Sequence, residues 1–154
     1  MFTIHPRHNG PPDSAHGGVA AGHFASLVDA DREDDGLRLT PGVIPGSLTH
    51  ATFWTPGVAD RVPSWLTWAA LDCLSGGPAL AAAPRGAAVV TGEIAVDIRA
   101  RLAGSAQYQL LSRCVAPLGR KILTEAAIVD THGRNLAVAA TTWIALESIA
   151  AVAS

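Results

Sequence analysis

Residues 63–80 read PSWLTWAALDCLSGGPAL. Pro63 suits the first turn of a helix and Gly76-Gly77-Pro78 suit its end, which predicts a helix from Pro63 to about Leu74. The segment is predominantly apolar, with one carboxylate, Asp72, in its middle. No other acidic or basic side chain lies between Arg61 and Arg85. Burying a charge is costly unless it is paired or used. A lone acid here is therefore either an expensive structural group or the working group of a site.

The flanks of this helix read as strands. Leu37 to Val43 and Leu48 to Thr55 form two, joined around Pro45-Gly46. After Pro84-Arg85-Gly86 the run VVTGEIAVDIRARL alternates, with Val90, Ile94, Val96, Ile98 and Leu102 on one face. Glu93, Asp97, Arg99 and Arg101 occupy the other. Three further strands are expected at about 106–116, 120–130 and 135–146. Their turns are Ala103-Gly104-Ser105, Pro117-Leu118-Gly119 and Thr131-His132-Gly133-Arg134, short enough to make successive strands antiparallel neighbours. One apolar helix against a long antiparallel sheet is an α+β layer architecture.

The first 34 residues form a separate extension. Ser14 can cap a helix running to about Val28, with Ala20, Phe24, Leu27 and Val28 on one face. The charged run Asp29 to Asp35 then breaks the pattern. Residues 35–147 make the domain proper and 148–154 a tail.

Composition narrows the classes. With 154 residues the chain is long enough for one domain with a real core. Charged residues are only 16% and hydrophobic ones 49%, so part of the surface is expected to be covered by another subunit. A net charge of −2 without a basic patch gives no reason to expect a nucleic-acid partner. No apolar run approaches the roughly 20 residues of a membrane span, and the start lacks the layout of a signal peptide. Cys73 and Cys114 fit neither disulfide nor zinc spacing and are expected to be buried thiols. The expected compartment is the cytoplasm. His5, His8, His16 and His23 match no metal-ligand pattern, so no metal and no cofactor is expected.

The layout of two strands, a Pro-led helix with an acid at its middle and four further strands resembles the hotdog-fold thioesterases of the PaaI-like acyl-CoA group. The matching pieces are DGLRL at 35–39, ATFWTP at 51–56, ALDCLSGG at 70–77 and PLGRKILTEAAIVDTHGRNLAVAATTWIAL at 117–146. The resemblance implies an antiparallel sheet wrapped around a long central helix, with two subunits joined edge to edge as a homodimer or homotetramer. It also implies an acyl-CoA or similar thioester bound in the cleft between subunits. Asp72 falls where the family carries its nucleophile or general base. A backbone N–H near the helix start would polarise the thioester carbonyl.

One departure stands out. Where the family has HGG near the start of this helix, the chain has Ser64-Trp65-Leu66. An HGG does occur, but upstream at His16-Gly17-Gly18, in an extension that itself looks like the opening of a second hotdog unit. His16 is thus a candidate beside Asp72. Gly17, Gly18 and Asn9 are candidates for substrate contact through a loop at a helix start. Trp65 and Trp68 are expected in the core or subunit interface, with a role in lining an acyl pocket as the alternative. Asp72 could instead be a structural acid bonded to a backbone amide or paired with an arginine such as Arg99 or Arg101, and Cys73 a core thiol. The rival to an enzyme is a catalytically silent hotdog protein that binds a thioester or serves only in assembly.

Overall fold

A computed structural model describes Leu37 and residues 39–146. The expected N-terminal helix, His16-Gly17-Gly18, Asn9 and the tail from 147 lie outside the described residues. Within them the chain forms β1 (Gly42–Val43), β2 (His50–Trp54), α1 (Ser64–Ala82), β3 (Ala88–Ile98), β4 (Tyr108–Leu118), β5 (Lys121–Val129) and β6 (Asn135–Leu146). The strands make one antiparallel sheet in the order β1-β2-β4-β5-β6-β3, with α1 packed across it.

The long strands follow from the alternation in the sequence. On β6, Ala137, Ala139, Thr141, Trp143 and Ala145 face inward and are buried, while the residues between them face out. All but Trp143 are small and leave room for the helix. The core is built from Leu71 and Leu74 of α1 against Ile94, Leu110, Ile128 and Tyr108 of the sheet, closed at one end by Trp54 and Leu102. Tyr108 is fixed there by its hydroxyl, which donates to the carbonyl of Ala103 and accepts from its amide at 2.7 Å. Two tight turns are set by glycines at positive φ, Gly119 at 63° and Gly133 at 79°.

Several expectations are corrected. The first concerns the pairing of β3. The short turn at 103–105 pointed to a β3–β4 hairpin, yet β3 pairs with β6 at the far edge and β4 pairs with β2 and β5. Residues 99–107 carry the chain over the end of the helix instead. Leu102 is buried there, and Ala103 bridges to Arg61 just ahead of α1.

The second concerns the end of the helix. Gly76-Gly77-Pro78 does not stop it; α1 continues to Ala82. Proline inside a helix removes one N–H and orphans the carbonyl four residues back, here that of Leu74. Ser112 of β4 donates its hydroxyl to that oxygen at 2.9 Å, within the core. The two glycines have tertiary reasons as well. A Cβ on Gly76 would lie 3.3 Å from the Trp143 ring, and one on Gly77 would lie 3.1 Å from the His50 ring. Local helix-breaking chemistry is outweighed by contacts with the sheet.

The third concerns Val90, which alternation puts on the face of Ile94 but which is 43% exposed. A bulge at Gly92 shifts the register between Thr91 and Glu93, so alternation across it changes face. The first strand is also shorter than 37–43, reduced to Gly42–Val43.

Candidate active site

Asp72 lies on the side of α1 that faces β3 and is 8% exposed. Its Oδ1 accepts a hydrogen bond from the Thr91 hydroxyl at 3.1 Å. Among the described residues no hydrogen bond or ion pair engages Oδ2. Burial raises the Asp72 carboxyl above its ordinary range, and the Thr91 hydrogen bond works against that rise. The alternative in which Asp72 is neutralised by Arg99 fails, because Arg99 pairs with Asp97 at 2.8 Å on the surface. Arg101 makes no ion pair with Asp72 either.

One turn further along the same helix lies a different polar cluster. Ser75 is fully buried; its hydroxyl bonds to the Asp72 carbonyl at 3.0 Å and to Thr141 Oγ1 at 3.2 Å. It also accepts from the Trp143 indole N–H at 3.2 Å. These groups pin helix to sheet with neutral hydrogen bonds only. Two nearby polar atoms are buried without a partner among the described residues, Thr124 Oγ1 and His50 Nδ1.

Cys73 corrects another expectation. It is exposed, whereas Cys114 is half-buried and packs against the core around Ile122 and Trp143. One position past Asp72 on a helix is a rotation of about 100°, which carries Cys73 away from the sheet. Loss of surrounding water, and secondarily the Asp72 charge, still push its thiol up to about 11. It is a poor thiolate nucleophile at neutral pH.

Of the tryptophans, Trp54 and Trp143 are buried in the core. Trp68 is half-buried against it, and Trp65 is half-buried near the helix start. The structure thus brings Asp72 together with Thr91, which sequence reasoning missed. A detectable signal existed: a glycine inside a strand pattern, between Thr91 and Ile94, marks a bulge. Among the described residues no three His, Cys, Asp or Glu side chains gather to hold a metal ion, and no helix is long and apolar enough to cross a membrane.

Solved structures share this arrangement of helix and sheet. A thioesterase of Haemophilus influenzae superposes with a TM-score of 0.65 at 9% identity, covering 73% of this chain and 81% of its own. A protein of Bacillus halodurans solved with CoA gives 0.62 at 14% identity, covering 85% and 93%. The chain has the hotdog fold that these structures share. A hypothetical thioesterase of Streptococcus pneumoniae, solved with coenzyme A, shares that fold with a TM-score of 0.58 at 13% identity, covering 66% and 84%. No protein-family model matches the sequence, and no curated protein sequence does. In hotdog terms α1 is the central helix, and Asp72 sits on it facing the strand at the sheet edge.

Proposed function

We propose that this hotdog protein hydrolyses an acyl thioester of the acyl-CoA kind, with Asp72 as general base or nucleophile. One observation carries the reading: among the described residues, a buried carboxylate in the middle of the central helix is held by Thr91 through one oxygen. The shared fold supports it, since proteins with that fold have been solved with CoA.

The chemistry follows from the geometry. With Oδ1 held by Thr91, Oδ2 can accept a proton from water. The water oxygen adds to the thioester carbonyl, and the C–S bond then breaks. The departing thiolate takes the proton back from Asp72, leaving acid and thiol. A carboxyl raised by burial is better matched to this proton traffic near neutral pH than an exposed one. In the alternative route Asp72 attacks the carbonyl itself and the C–S bond breaks to release the thiolate. Water then hydrolyses the resulting anhydride, freeing the acid and the Asp72 carboxylate and supplying the proton the thiolate takes up. The carbonyl oxygen would be received by backbone amides near the start of α1 or by the His16-Gly17-Gly18 turn.

The cleft would lie between two copies. β3 has eleven residues and a single partner strand, β6, so its other edge is open to a second copy among the described residues. Continuation of the sheet there would place the Asp72–Thr91 pair beside the joint, in a dimer or a dimer of dimers. A catalytically silent thioester binder is the second reading, favoured by one feature: Ser64-Trp65-Leu66 stands where the family has glycines.

Thiol release from short, long and aromatic acyl-CoAs, with wild type and Asp72→Asn, separates the two. The hydrolase reading expects turnover of at least one substrate and its loss in the variant. Absence of turnover, or equal rates in both proteins, sinks it. Tight CoA binding without release would then support the silent binder.

A further inference from the structure

The bulge in β3 does more than interrupt alternation. Thr91 pairs with Trp143 of β6, and Ile94 pairs with Thr141. From the first pair to the second, β6 advances two residues and β3 advances three. In a regular strand, residues three apart point to opposite faces, so Thr91 and Ile94 could not both face the helix. Here both do: Ile94 is 1% exposed in the main core, and Thr91 bonds to Asp72. The extra residue that reconciles them is Gly92.

Gly92 also lies close against the neighbouring strand. A Cβ there would meet Ile144 Cγ1 at 3.0 Å and the Thr142 carbonyl oxygen at 3.2 Å. Both belong to the neighbouring strand, and one is backbone. A side chain there needs the neighbour to give by a few tenths of an ångström. The Ile144 side chain can, but the Thr142 carbonyl is held in the sheet, so the strain falls on the bulge and the residues on either side of it. Bulges commonly re-aim a side chain in this way beside active sites.

We propose that Gly92 is a positioning residue: its bulge aims the Thr91 hydroxyl at Asp72 while Ile94 stays in the core. The proposal rests on Asp72 being the working acid. Gly92 itself touches no substrate and acts through Thr91 alone.

The test reads the Asp72 carboxyl directly. Its side-chain ¹³C resonance is titrated in wild type, Thr91→Val, Gly92→Ala and the double variant. No charged group among the described residues shifts Asp72, so burial and the Thr91 hydrogen bond are the two influences to separate. Thr91→Val removes the bond that lowers the midpoint, so the midpoint rises. Gly92→Ala should raise it too, and the double variant should rise no further than Thr91→Val alone. An unchanged midpoint in folded Gly92→Ala overturns the proposal, as does a double variant in which the two shifts add. Should Gly92→Ala not fold, the same protein with Ile144→Ala, which relieves the side-chain part of the clash, is read in its place. Loss of the fold in both would mean that Gly92 serves the sheet rather than Thr91. Because the titration needs no substrate, a wild type that releases no thiol refutes hydrolysis and leaves this coupling to be judged by itself.

Discussion

Asp72 and Ser75 lie one helical turn apart on α1, and each sets a polar group against the sheet, yet they are held in opposite ways. Ser75 is sealed, neutral and bonded to three partners on the helix and β6. Asp72 carries an ionisable group, retains some exposure and has a single side-chain partner among the described residues. A satisfied neutral network stabilises; a carboxylate half-satisfied in low dielectric does not. The contrast separates the part of the helix that fastens the fold from the part that is costly to keep. The costly part is where chemistry is to be sought.

Replacing the costly group should give the largest effect on activity and the opposite effect on stability. Asp72→Asn removes the base, so thiol release should fall by about 100-fold or more. Stability should move the other way with pH. The Asp72 carboxyl is raised in the folded state above its ordinary 3.8, so the folded protein binds the proton more tightly than the unfolded chain. Below about that ordinary value the group is neutral in both states and costs nothing. As pH rises from there through the folded value, ionisation destabilises the wild type, and the loss is complete above it. The advantage of Asp72→Asn in urea midpoint should therefore grow over that window and then level off. A difference that does not depend on pH, or that shrinks as pH rises, would break the contrast.

The fastening half should behave conversely. In Ser112→Ala the Leu74 carbonyl, already without the N–H that Pro78 lacks, loses its remaining donor inside the core. Leaving a buried acceptor unpaired costs about 1–3 kcal/mol. Urea denaturation should show that loss, while the Asp72 titration stays in place. A loss of only a few tenths would mean that water or a backbone shift replaces the hydroxyl.

The same division explains what was legible in the sequence. Asp72, the central helix and the β4–β5–β6 meander could be read because they rest on local patterns: period-two alternation, short turns and one charge in an apolar run. What was not legible depended on contacts between distant segments. Gly76-Gly77-Pro78 looks like a helix end until Ser112, Trp143 and His50 are brought beside it. Thr91 looks like one more strand residue until the Gly92 bulge turns it inward. The β3–β6 pairing likewise comes from packing around the helix rather than from the turn at 103–105. The candidates His16, Gly17, Gly18 and Asn9 belong to residues outside those described, so their relation to Asp72 stays part of the proposal.

The smallest effect tests how tightly the fastening half is closed. Glycine in a helix interior costs roughly 0.5–1 kcal/mol relative to alanine, so Gly76→Ala and Gly77→Ala each gain that much before contacts are counted. At Gly77 the new Cβ would lie 3.1 Å from the half-buried His50 ring, whose buried Nδ1 has no partner among the described residues. With no hydrogen bond from that nitrogen to break, the ring can yield by a few tenths of an ångström. At Gly76 the separation is 3.3 Å, slightly looser, but the neighbour is Trp143, held by its N–H to Ser75 and 8% exposed. It can yield only by stretching that bond. Gly77→Ala should therefore be stabilising by less than about 1 kcal/mol, and Gly76→Ala neutral or destabilising. Thermal unfolding of the two variants side by side gives the order. The reverse order would show that the Trp143 ring moves more freely than its bond to Ser75 implies, and that the network around Ser75 is not the rigid partner of Asp72.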